Sequence, residues 1–151
     1  MRRNDALIPL THDHHHALAQ ARRLALASAS TTDERKDAAS LFVDFYSRDT
    51  LVHFREEEET VFPLVVDRKE AEAPLKRLMM DHLRIHGCVR RLTAELAEGD
   101  AQPNTMKVLS ELLEKHIRFE EKSFFPMVED LAGSDLVSIE LAPRDRTVSG
   151  R

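Results

Sequence analysis

The chain has 151 residues, 42% hydrophobic and 32% charged, with a formal net charge of -5. That describes one domain of ordinary soluble-protein composition; the negative balance and the lack of a basic–aromatic cluster argue against nucleic acid as a partner, and no apolar run approaches the roughly 18 residues of a membrane span. A lone cysteine, Cys88, excludes an internal disulfide, and Met1-Arg2-Arg3-Asn4-Asp5 opens no signal peptide, so the expected location is cytoplasmic.

Aromatic content is 5% and there are only 4 glycines, while Leu, Ala, Arg and Glu are the commonest residues, a helix-forming composition rather than a strand-forming one. Four segments carry helical periodicity. The first runs from about Thr11 to Ala29 and ends in the polar stretch 28–32. The second starts near Asp33, capped by Thr32 or Asp33, and continues past Glu59 until Pro63 ends or kinks it. The third starts between Ala71 and Pro74 and stops at Glu98, before Gly99. The fourth begins at Pro103, suited to a first turn, and stops near Ala132, before Gly133.

Short connections make neighbouring helices antiparallel. The expected fold is all-α, an up-down-up-down antiparallel four-helix bundle over residues 1–133 with a C-terminal tail over 134–151. Leu136, Val137, Ile139 and Leu141 are the tail residues able to pack.

Titratable side chains interrupt the apolar stripes. His53 and Glu57, His82 and His86, and His116 and Glu120 stand four apart, neighbours on one helical face at roughly 5–6 Å between Cβ atoms. Phe42 and Phe45 precede His53, and Val61 and Leu64 follow Glu57. Leu75, Leu78 and Met79 precede His82, and Val89, Leu92 and Leu96 follow His86. Leu109, Leu112 and Leu113 precede His116, and Phe124 and Met127 follow Glu120. In the first helix the face of His14 runs back to Leu10 and Leu7 and forward to Ala17, Leu18, Ala21 and Ala25, whereas the face of His15 is more polar. His14 is therefore the inward residue, and His12 and His16 are solvated.

A single histidine on an apolar face is more often a satisfied core residue. Five histidines and two glutamates on four facing stripes, with no Lys or Arg among the stripe positions, require a cation, because buried carboxylates must be paired or bind metal. Imidazole suits iron, zinc, copper and nickel, while carboxylate bridges favour hard ions, and five His with two Glu make a set that two irons would accept. Tyr46, two turns before His53, reads as a core tyrosine ahead of a pocket residue. Cys88 reads as packing, and the acidic run 56–59 as a solvated face apart from Glu57.

The ordered stretches Asp13-His14-His15-His16-Ala17-Leu18, His53-Phe54-Arg55-Glu56-Glu57, Asp81-His82-Leu83-Arg84-Ile85-His86 and His116-Ile117-Arg118-Phe119-Glu120-Glu121 resemble the hemerythrin family over about residues 7 to 132. Phe62-Pro63 and Phe125-Pro126 follow the two His-x-x-x-Glu motifs, as in bacterial hemerythrin-like domains. The rival bundle pattern, Glu-x-x-His on two helices, is absent. The resemblance implies that His82, His86 and His116 hold one iron and His14 and His53 the other, with Glu57, Glu120 and an oxo or hydroxo oxygen bridging them. Counting ligands then leaves one position open, on the His14/His53 iron. The oxygen-carrying branch spaces its last histidine and an aspartate by five; here the spacing is four, with Glu, as in the wider cation-binding branch, which speaks against reversible oxygen carriage.

The implied function is binding of oxygen, nitric oxide or peroxide at a di-iron site for storage, sensing or stress response. The alternatives are a di-iron peroxidase-type oxidoreductase and an iron- or oxygen-responsive regulatory module. The seven ligands include no spare general acid, so no catalytic residue is assigned, and the oligomeric state is left open.

Overall fold

The computed structural model describes residues 2–141. Four long helices carry them, and among the described residues there is no strand. A 3-10 turn, Asp5–Leu7, leads into the first helix, Ile8–Ala27. Pro9 sits in its first turn, where no donor is lost. The second helix spans 32–61. Its cap is Thr31, whose hydroxyl accepts from the Glu34 amide at 3.2 Å, one residue earlier than expected.

The third helix is Glu72–Ala97. Gly99 beyond it has φ 96°, a left-handed conformation that favours glycine at a helix end. The fourth helix starts at Pro103 and reaches Leu136, broken at Ala132, whose φ of -139° is not helical. The expected stop is thus a kink, after which one further turn buries Leu136 completely. Ile139 and Leu141 also pack against that core, while Val137 is exposed. The rest of the expected tail, 142–151, lies outside the described residues. Among the described residues no helix is long and apolar enough to cross a membrane.

Three turns are π-helical: Tyr46–Thr50, Glu57–Val61 and Glu120–Phe124. In the last two the amides of Phe62 and Phe125 bond to the carbonyls of Glu57 and Glu120, five residues back. Pro63 and Pro126 explain these two: each lacks an N–H and its ring collides with the carbonyl four residues earlier, so the preceding turn widens.

The core divides into two clusters. Leu24, Phe42, Leu92, Met106 and Leu109 lie in one; Leu10, Val61, Leu78, Phe124 and Val128 lie in the other. A polar layer of His14, His53, Glu57, His82, His116 and Glu120, all buried, belongs to neither. Two stripe positions turn outward, Ala25 and Met79; Leu24 takes the inner place instead of Ala25.

Candidate metal centre

Glu57 and Glu120 are fully buried, on facing helices. Around them the side chains gather into two groups, His14, His53, Glu57 and Glu120 in one and Glu57, His82 and His116 in the other, with the ligand atoms of each group within 4.8 Å of one another. Six of the seven residues named from the sequence are thereby brought together, and Glu57 is shared. His86 joins neither group; it is half-buried and its Nδ1 is hydrogen-bonded to the Tyr46 hydroxyl.

The close approaches are His53 Nε2 to Glu57 Oε2, His82 Nε2 to Glu57 Oε1 and His116 Nε2 to Glu120 Oε1, each 3.3 Å, and His14 Nε2 to Glu120 Oε1 at 3.0 Å. Yet His53 Nε2, His82 Nε2, His116 Nε2, Glu120 Oε2 and both Glu57 oxygens are buried without a hydrogen-bond partner. Orphaned buried polar atoms are rare and costly. Here nitrogen and oxygen atoms of ligand type converge on one another, so the residues fit a cation.

The opposite edge of each ring is fully engaged. His53 Nδ1 donates to Asp13 at 2.9 Å, His82 Nδ1 to Glu58 at 2.7 Å, His116 Nδ1 to Asp81 at 3.1 Å and His14 Nδ1 to Glu121 at 2.6 Å. A carboxylate on Nδ1 fixes the tautomer that presents Nε2 as a ligand. Aromatic rings hold the planes: Phe54 stacks on His82 at 3.8 Å between centroids, and Phe125 on His14 at 5.6 Å.

The charges are strongly coupled through the low-dielectric interior. Burial and the neighbouring Glu120 push Glu57 up to about 8. Burial pushes Glu120 up as well, but His116, Glu57 and His14 outweigh it and hold that carboxyl well below its ordinary value. Burial pulls His116 down, but Glu120, Asp81 and Glu57 raise it to about 10. His14 is raised in the same way, Glu120 and Glu121 overcoming its burial. Without a cation the site therefore keeps its carboxylates by retaining protons.

Four residues of the site were given no role beside the histidines by the sequence reading: Asp13, Glu58, Asp81 and Glu121. The run 56–59 is accordingly no simple solvated face, since Glu58 orients His82 and Glu56 is buried. A signal was present. Each of the four stands next to a ligand in the chain, before it on the first and third helices and after it on the second and fourth.

No curated protein and no solved structure matches the chain at a significant level. A family model described as Hemerythrin HHE cation binding domain matches residues 7–128, a span that contains every residue of the two convergent groups and all four of their carboxylate partners. By its helices, its convergent ligands and this match, the chain belongs to the hemerythrin HHE cation-binding domain family.

Proposed function

We propose that the protein holds two iron ions with a bridging oxo or hydroxo oxygen, using His14, His53, Glu57, His82, His86, His116 and Glu120. In this reading it takes up oxygen, nitric oxide or peroxide at the one position left open, for storage, sensing or stress response. The observation that carries it is the sharing of Glu57: its Oε2 faces His53 and its Oε1 faces His82, both at 3.3 Å, so one carboxylate spans two ligand groups. Two irons held there would supply a redox-active pair able to bind a small molecule.

The chain's own residues do the rest. Asp13, Glu58, Asp81 and Glu121 orient imidazoles; Phe54 and Phe125 fix ring planes; the two apolar clusters shield the layer from water. His86 is the seventh ligand in this reading, with Nδ1 donating to the Tyr46 oxygen in the tautomer that leaves Nε2 free.

A cavity lined by His14, His53 and also His116, but not by His82 or His86, supports placing the open position on the side of His14 and His53. The test is a count of iron per chain with optical spectra of the reduced protein before air, after air and after degassing. About two irons per chain with a charge-transfer band is the expected result. Retention of one metal or none overturns the seven-ligand assignment, and two irons with no spectral response to any small ligand overturns the binding role.

A further inference from the structure

The cavity beside His14 and His53 is walled by Ala17, Phe45, Leu113 and Ile117. The cavity is about 20 Å³, room for a single small molecule. Besides the histidines, the polar side chains of that lining are Asp13, Asp49 and Thr50, and Thr50 carries its one hydroxyl. It is 5% exposed, and its hydroxyl has no hydrogen-bond partner among the described residues.

A helical threonine ordinarily returns its hydroxyl to the carbonyl four residues back. Thr93 does so here, donating to the Val89 oxygen at 2.8 Å. Thr50 closes the π turn Tyr46–Thr50 and makes no such bond. Burying an unpaired hydroxyl costs stability, a cost that a partner from outside the chain would offset.

We propose that Thr50 donates a hydrogen bond to a two- or three-atom, electron-rich ligand held in this cavity next to His14 and His53. The inference rests on the di-iron reading above and goes further by naming the chain's own polar contact to the ligand. The donor is the Thr50 O–H and the acceptor an electron-rich end atom of the guest. Ala17, Phe45, Leu113 and Ile117 offer the guest no polar contact, and the Asp13 and Asp49 carboxylates of the same lining accept rather than donate.

The test uses the iron-loaded 151-residue chain and azide as the probe. Thr50→Val keeps the shape and removes the donor; Thr50→Ser keeps the donor. Thr50→Val is expected to hold the same iron per chain while binding azide roughly tenfold more weakly or worse, and Thr50→Ser to bind within about twofold of the original. Without metal, Thr50→Val is expected to melt about 2–4 °C higher, since the unpaired hydroxyl is gone. Unchanged azide affinity in Thr50→Val with two irons retained overturns this inference and leaves the di-iron reading standing, and so does a lower metal-free melting temperature, which reveals another partner for the hydroxyl. An iron-loaded original protein that binds no azide, or one that holds no iron, overturns both.

Discussion

His53 donates its Nδ1 proton to Asp13 on the preceding helix at 2.9 Å, which turns Nε2 toward Glu57 Oε2 at 3.3 Å. The same relation repeats around the bundle. Asp13 of the first helix serves the second, Glu58 of the second serves the third, Asp81 of the third serves the fourth, and Glu121 of the fourth serves the first. The ring closes for a geometric reason. A residue before the ligand lies about 100° to one side of it, and a residue after lies about 100° to the other. Antiparallel neighbours reverse that sense, so Asp before and Glu after point the same way round the bundle.

Asp13→Ala frees the His53 ring. We expect one of the two metals to bind about 10–100-fold more weakly while the other is retained, since a lost partner to a ligand imidazole has that order of effect. Glu58→Ala, which frees His82, is expected to weaken the other metal. Competition against a chelator, with helicity followed by circular dichroism, separates loss of metal from loss of fold. Equal weakening of both metals by both variants contradicts the two-group arrangement.

The metal-free protein should lose stability as pH rises. Glu57 moves from 4.5 to about 8 on folding, so its cost is absent below 4.5 and complete above about 8. His116 moves from 6.5 to about 10, so its contribution is full below 6.5 and lost as pH passes about 10. Both groups hold more protons folded than unfolded across that window, and the slope is therefore negative. Glu120 is lowered and acts oppositely, its contribution being lost only as the solution becomes acidic. Melting temperatures from pH 5 to 10 check this (a span of roughly the window set by linkage), and Glu57→Gln should flatten the portion below about 8.

Cation uptake at neutral pH should release protons, because Glu57 and His116 hold theirs above pH 7 without metal and must give them up to act as ligands. About two protons per chain are expected. Calorimetric titration in buffers of different ionisation enthalpy measures the number directly; an apparent binding heat independent of buffer argues against it.

Pro63→Ala permits the turn at Glu57 to relax into an ordinary α turn. Helix content should hold or rise, while the Glu57 carboxylate shifts away from its partners and metal affinity falls by about tenfold or more. Pro126→Ala should do the same through Glu120. A variant that binds metal as before shows that packing alone, not the proline, sets the π turn.

Tyr46→Phe keeps the ring in the core and removes the hydroxyl against His86. With His86 as the seventh ligand, the metal at His82 and His116 should bind about tenfold more weakly, with the melting temperature of the metal-free protein nearly unchanged. His86→Ala with no effect on either metal removes His86 from the ligand set.

Much of this was legible in the chain. Helix extents followed from apolar periodicity and from Pro103 and Gly99, because these act within one or two turns. His53, Glu57, His82, His116 and Glu120 stood out because ionisable groups in an apolar stripe carry a cost that a soluble surface face does not. His14 was separable from His15 by the same reasoning.

Register and partnership were decided by the tertiary structure. Reading faces from sequence assumes about 100° per residue throughout. Between Phe45 and His53 that gives about 80° of divergence, but the π turn Tyr46–Thr50 absorbs one residue and reduces it to about 20°, so both side chains line one cavity. Tyr46 is carried off the face of His53 and toward His86, and Thr50 is turned into the cavity without its backbone partner. Which carboxylate meets which imidazole likewise depends on a neighbour distant in the chain, 106 and 107 residues away for His14. The sequence determined which ionisable side chains stand on the inward faces, because helical periodicity and the cost of buried charge are local; the packing of four helices decided their pairing and the place of the cavity, because those depend on distances between segments that no local pattern encodes.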